Sequence, residues 1–259
     1  MTGAAVFDGL AAGYDATFTH TVLGRRYRAA VDRSLRWAFA PGQRVLELNC
    51  GTGEDAVALA GRGVLVLATD AAPAMVEQAR VKALAAGVGE RVRTRALAIE
   101  ELSGRAAELG RFDGLLSNFG GLNCVADLDS AAAGMAAVVR PQGRVVVCLM
   151  GPVAPWEWAW FLARGRPSTA GRRLRRDVSW RGVPLRYPSV GTASRALAPW
   201  FVVHARRGIG VVLPPPYAEA HAARHPRVVA TLDRLERRLD RAPGAAWVAD
   251  HYVLELVRR

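Results

Sequence analysis

Lysine is nearly absent from this 259-residue chain: of 35 basic side chains, only Lys82 is a lysine and the rest are arginines. Cysteine is scarce as well. Cys50, Cys124 and Cys148 are odd in number and lack metal-ligand spacing, which excludes a disulfide framework and a cysteine-built metal centre. Their apolar or small neighbours predict buried, reduced thiols. No apolar run approaches the roughly 18 residues that a membrane span requires. The first residues, Met1 to Asp8, lack a basic stretch followed by a long apolar one, so no secretory signal is expected. These absences together predict a cytoplasmic protein with no metal. Repeats and low-complexity tracts are also missing, and 51% hydrophobic content is ample for a core.

Acidic residues fall short of basic ones, leaving a net charge of +12, and the shortfall is local. Residues 1–150 hold 16 basic and 15 acidic side chains, whereas residues 151–259 hold 19 and 8. Arg164, Arg166, Arg172, Arg173, Arg175, Arg176, Arg181 and Arg186 crowd together there with Asp177 as the nearby acid. Such a surface would steer anionic partners, although a solvated face is the plainer reading of a charge cluster.

Apolar positions recur at helical spacing over residues 7–39, until Pro41-Gly42. Short apolar strands then alternate with helices: strands at Arg44 to Leu48, Val64 to Asp70, 91–97, Phe112 to Ser117 and Arg144 to Met150, with helices at Glu54 to Ala60, 73–86 and 128–139. Alternation of this kind predicts an α/β fold, a doubly wound parallel sheet covered on both faces, whose post-strand loops gather along one ligand-binding edge. Past Met150 the pattern changes. Five of seven tryptophans fall within 156–200, Val178 to Val190 reads as a hairpin turning at Arg181-Gly182, and residues 201–212 and Tyr252 to Val257 read as strands flanking a helix at 226–240. The organisation expected is an N-terminal helical cap (1–43), a core (44–150), an inserted Trp/Arg-rich lid after the fifth strand (151–200) and closing elements of the core sheet (201–259).

The most informative stretch is Glu47-Leu48-Asn49-Cys50-Gly51-Thr52-Gly53. A strand turning tightly into a helix presents backbone N–H groups to a ligand, and glycines at 51 and 53 permit close approach and positive φ. Asp70 ends the next strand, 17 residues beyond Gly53, where a carboxylate can accept both ribose hydroxyls. Loop and acid together mark a nucleoside-cofactor site. Gly51-x-Gly53-x-x-Ala56 also satisfies the dinucleotide fingerprint, so an NAD-linked oxidoreductase is the first alternative. Two features oppose it: the long helical segment before the first strand, and Glu47, which would repel a pyrophosphate but suit a cationic ligand.

Val45 to Gly53 with Asp70 resembles motif I and the following acid of the class I S-adenosylmethionine (SAM)-dependent methyltransferases. Phe7-Asp8 and Tyr14-Asp15 resemble the lead-in segment of the small-molecule branch that includes the quinone methyltransferases, and Pro141-Gln142-Gly143 is similar to its Pro-Gly-Gly turn. The resemblance implies a Rossmann-like, mostly parallel sheet with an antiparallel last strand. By that resemblance Glu47 and the backbone at Asn49, Gly51 and Gly53 would hold the methionine part of SAM. Asp70 would take the ribose, Ala71, Met75, Ala98 and Ile99 the adenine. Ser117, Asn118 and Phe119 would sit near the sulfonium, with Tyr14 closing over it. Asn49 departs from the family's usual glycine, but asparagine tolerates left-handed backbone better than most residues.

The function so implied is methyl transfer by in-line displacement to a small, hydrophobic or aromatic acceptor, leaving S-adenosylhomocysteine. Proximity and alignment supply most of the acceleration. For an acceptor that loses a proton, His20 is the favoured base, ahead of Tyr14, Tyr187, His204, His221 and His225. The acceptor pocket falls to residues 151–200 by elimination, with Trp156 and Trp160 on one helical face. The arginines would meet a carboxylate or phosphate. The second alternative is a nucleic-acid binder or RNA methyltransferase using the basic insertion, which Ser117-Asn118-Phe119 disfavours because it is not the tetrad of amino-methylating nucleic-acid enzymes.

Overall fold

A computed structural model describes residues 3–175 and 178–259. The N-terminal segment is not one helix. It comprises α1 (Gly3–Asp8), a 3₁₀ turn (Ala11–Gly13), a π-helical turn (Asp15–Thr19) and α2 (Val22–Ala38). Thr21 caps α2 by accepting from the Gly24 N–H, which sets the break that helical periodicity passes over. The alternating core follows: β1 (Arg44–Leu48), α3 (Glu54–Gly61), β2 (Leu65–Asp70), α4 (Pro73–Ala85), β3 (Val92–Ala96), α5 (Leu102–Leu109), β4 (Phe112–Ser117), α6 (Leu128–Val138) and β5 (Val139–Met150). Gln142, at φ 64° where the resembling turn has glycine, stands in a register irregularity between β4 and β5.

The remaining elements are α7 (Pro155–Leu162), α8 (Pro167–Ala170), β6 (Val178–Trp180), β7 (Val183–Leu185), α9 (Val190–Leu197), β8 (Phe201–Ile209), α10 (Glu219–Arg224), α11 (Pro226–Leu239) and β9 (His251–Arg258). The main sheet has the order β3-β2-β1-β4-β5-β9-β8. Only β9 runs against the rest, pairing antiparallel with β5 and β8, so the reversed strand is the last in sequence but not at the edge. Parallel β1, β2 and β4 therefore end on one side, where their loops meet.

Alternate side chains of the strands feed two apolar layers. Val45, Val66, Leu116 and Val253 pack with Leu23, Tyr27 and Leu35 of α2 and with α3 and α4. Leu46, Leu115, Val147 and Leu254 pack with α5, α6 and α9. Helix α9, which composition alone assigned to the lid segment, is thus seated on the core. Trp156 and Trp160 are also bound down: the Trp156 indole donates to the Val212 carbonyl at 2.9 Å, and Trp160 packs against the α2-side core beside Tyr217 and beneath the Arg164 guanidinium.

The arginine-rich stretch is likewise less free than its sequence implies. Glu157, only 1% exposed, takes Arg172 Nε at 2.8 Å and Arg173 Nε at 2.9 Å, and buried Arg173 continues to Asp250. Glu157 lies just before the cluster in sequence, whereas Asp250 lies far beyond it. Arg176 and Asp177 lie outside the described residues.

Candidate functional site

A cavity of about 410 Å³ opens where the loops after β1, β2 and β4 converge. Its floor is the glycine loop. Asn49, Gly51 and Gly53 all take left-handed backbone, at φ 47°, 54° and 79°. The Gly51 N–H donates to Asp70 Oδ2 and the Ala72 N–H to Asp70 Oδ1, both at 2.9 Å, so the acid that ends β2 also shapes the loop. Two carboxylate oxygens offer about four acceptor sites, leaving capacity for a ligand's hydroxyls. Burial raises the Asp70 carboxyl above its ordinary range against the pull of the Ala72 and Gly51 N–H groups.

Asn49 does more than tolerate its conformation. Its amide donates to the Asn118 carbonyl at 2.6 Å, and its Oδ1 accepts from Ser117 Oγ at 2.6 Å, tying the β1 loop to the β4 loop. Phe119 follows at φ 47°, a sparsely populated conformation for a bulky residue, with its N–H held by Asn118 Oδ1. Asp55 Oδ2 receives both Asn118 Nδ2 at 2.7 Å and Arg28 at 3.0 Å, and the Arg28 guanidinium lies over the Phe18 and Phe119 rings. The lone lysine acts here too: Lys82 binds Asp15 at 2.6 Å and Glu54 at 3.0 Å, while Thr52 donates to Asp15, pinning the π-helical turn onto the glycine loop.

Glu47 is 2% exposed and lines the cavity, yet its Oε2 has no hydrogen-bond partner. Burial, then the nearby Asp55 carboxylate, pushes its carboxyl well above the usual range despite Arg28. Four acidic residues, Glu47, Asp55, Asp70 and Glu100, thus line one cavity with Arg28 as the only cation among its described lining residues. Tyr14 also lines it, with its phenol raised by burial.

Of the residues singled out in the sequence, Ala71, Met75, Ala98, Ile99, Asn118 and Phe119 stand in the cavity wall beside Tyr14, Glu47, Asn49, Gly51 and Asp70. Gly53, Ser117 and His20 do not. Gly53 is packed against α4: a Cβ added there would lie 2.6 Å from the Ala79 Cβ. Gly53→Ala is therefore expected to destabilise the protein by more than about 1 kcal/mol, from both the positive φ and the clash; urea unfolding measures it. Ser117 acts through Asn49. His20 is exposed, and the hydrogen bonds it makes are through its backbone, its N–H to the Asp15 carbonyl and its carbonyl from Arg25.

Sequence reasoning passed over Arg28, Asp55 and His251. Asp55 was legible as an acid in the first turn after the glycine loop. Arg28 was not, because nothing local marks one arginine of α2 as inward-facing. His251 carried a local signal, the adjacent Asp250, whose Oδ2 lies 2.9 Å from its Nδ1. Its ring packs edge-on against Phe119 and Tyr27. The expectation of three buried thiols also needs correction: Cys50 and Cys148 are buried, but Cys124 is half-buried and lines the cavity, with burial raising its thiol to about 11. From the insertion, Val183 and Pro184 of β7 join Gly3, Ala4 and Phe7 of α1 in the wall, and the Phe7 and Trp180 rings meet at 6.0 Å.

The glycine loop, its acid and this strand order define a Rossmann-like domain. Residues 45–143 match the Methyltransferase domain family. The chain is similar to the demethylmenaquinone methyltransferase of Mycolicibacterium gilvum, at 36% identity over 151 residues covering 56% of this chain and 58% of that protein. It therefore spans little more than half the length of the curated relatives it matches. Among solved structures, geranyl diphosphate C-methyltransferase from Streptomyces coelicolor shares the fold at 16% identity and a TM-score of 0.58, over 90% of this chain and 79% of that one. The [4+2]-cyclase SpnF does so at 18% identity and a TM-score of 0.58, over 91% and 80%. One fold carrying both names is a reminder that activity must be argued from the site. No helix among the described residues is long and apolar enough to cross a membrane, and no cluster among them is suited to a metal.

Proposed function

We propose that this chain is a SAM-dependent methyltransferase acting on a small, apolar or aromatic acceptor. The observation that carries the reading is Glu47. A buried carboxylate without a partner is costly, and its cost is offset when a bound ligand brings positive charge. SAM carries two such charges, an ammonium and a sulfonium. Its remaining parts also fit the residues present: Asp70 for the ribose hydroxyls, Met75, Ala98 and Ile99 for the adenine, and the bare backbone of the loop at Gly51 for the methionine portion. Bound there, SAM supplies a methyl group already activated on sulfur, and S-adenosylhomocysteine is the product.

The protein's own contribution is alignment and exclusion of water. Tyr14 and Phe119 line the cavity beside the β4 loop, held by the Arg28–Asp55–Asn118 contacts. Of segment 151–200, the β6–β7 hairpin serves as the lid, its β7 covering the cavity beside α1. For an acceptor that sheds a proton, the Asp250–His251 pair, which stands behind Phe119 and not in the cavity wall itself, replaces exposed His20 as the candidate base. The name of the Mycolicibacterium relative favours a quinone-like acceptor. A dinucleotide fits poorly, because its diphosphate would meet a cavity lined by four acidic residues while Arg28 is committed to Asp55.

Thermal-shift titration tests the assignment. Saturation with S-adenosylhomocysteine at about 100 times its Kd should add about 2.7 kcal/mol of stability, whereas NADH should add none; the reverse pattern would overturn it. Glu47 supplies an independent check. Because its free carboxyl holds a proton to higher pH than usual, and a cationic ligand favours the ionised form, binding of SAM should release a proton. Affinity should then rise with pH through the elevated carboxyl range and become flat above it. Calorimetry in buffers of different ionisation enthalpy reads the released proton, and Glu47→Gln should abolish it.

A further inference from the structure

A second and larger cavity, about 940 Å³, lies on the other side of the turn after β4. The two cavities share Val125. Gly121 and Cys124 face the first, and Leu122 faces the second. The larger cleft is cationic. Arg173, Arg175, Arg186 and Arg195 line it, and Asp129 is its one acid among the described residues. Arg173 is neutralised by Glu157 and Asp250. The other three form no ion pair with any described carboxylate, and the Arg186 guanidinium donates to the Val125 carbonyl, at 3.1 Å. Three guanidiniums gathered on one concavity repel one another and invite a shared anion.

The rest of the lining is apolar or amphipathic. Val125, Leu128, Pro152 and Tyr187 contribute, and Leu174 stands 61% exposed at the wall. An exposed leucine beside three arginines suits neither inorganic phosphate alone nor a purely hydrophobic molecule. We infer that the cleft binds an organic anion, a carboxylate or phosphate ester on an apolar body. Resting on the methyltransferase reading, it anchors the acidic end of the methyl acceptor.

The test uses the full chain and three probes followed by calorimetry: 2-naphthoate, its neutral counterpart 2-naphthylmethanol, and inorganic phosphate. The naphthoate should bind at least tenfold more tightly than either of the other two. Arg175→Glu/Arg195→Glu should reduce naphthoate affinity at least tenfold while leaving the melting temperature and S-adenosylhomocysteine affinity unchanged. Both substitutions are on exposed side chains, so folding is retained; Arg186→Glu, which also loses the Val125 contact, serves as a second variant. Equal binding of acid and alcohol, phosphate binding as tightly as naphthoate, or naphthoate affinity indifferent to charge reversal would each overturn the proposal. So would salt-sensitive binding of a single-stranded RNA oligomer in place of naphthoate. Failure of the wild type to bind S-adenosylhomocysteine strikes the reading of the first cavity instead, and so is told apart from failure of the cleft.

Discussion

Asp70→Ala is expected to weaken S-adenosylhomocysteine binding by at least about 100-fold, the loss of two hydrogen bonds to a charged acceptor at roughly 1.5–3 kcal/mol each. The size of the effect comes from the double duty of this carboxylate. It would accept the ribose hydroxyls while already accepting the Gly51 and Ala72 N–H groups, so its removal deletes a ligand contact and also releases the loop. Asp70→Asn separates the two contributions, because its one remaining oxygen retains an acceptor for a loop N–H but loses the charge. The alanine variant should lose about 1–3 kcal/mol of stability through unsatisfied N–H groups, and the asparagine variant less. Calorimetric titration beside urea unfolding reads both. Binding within fivefold of wild type in the alanine variant would remove Asp70 from the ligand site.

The second large effect concerns stability. Asp250→Ala should destabilise the protein by about 3–5 kcal/mol, because it strands the buried Arg173 charge, lowering Tm by about 10 °C for a chain of this size. Arg173 joins elements distant in sequence: α7 through Glu157, and the residue leading into β9 through the Asp250 carboxylate and its carbonyl, the latter at 2.8 Å. Burial alone would raise the Asp250 carboxyl, but Arg173 and then His251 hold it well below the ordinary range. A depressed folded-state pKa contributes stability above the unfolded carboxylate value of about 3.9, and that contribution is lost as pH falls below it. The difference between wild type and Asp250→Asn should therefore be full at neutral pH and shrink below pH of about 4. A pH-independent difference would assign the effect to packing.

Much of the candidate cavity was legible because its signals are local. A positive-φ loop needs glycine or asparagine within a few residues of a strand end, and an acid closing the next strand lies at a fixed distance along the same crossover. Asn49, Gly51 and Asp70 could be placed by such rules, and so could the apolar strands of the sheet. Arg28, within α2 of the helical cap, had no local mark. Its place follows from α2 crossing over α3, where it meets Asp55. Gly121 shows the same limit: an added Cβ would lie 2.0 Å from the Asn49 Cγ, a close approach between loops 72 residues apart.

By itself the sequence determined the order of strands and helices, the parallel core they build, and the loop and acid at its ligand edge, because period, turn chemistry and spacing act within a few residues. Only the tertiary structure decided what the arginines do. Glu157 and Asp250 neutralise some of them across the fold, while Arg175, Arg186 and Arg195 are left to line one cleft. Charge interacts through space, and which charges become neighbours depends on how the chain returns, not on their separation along it.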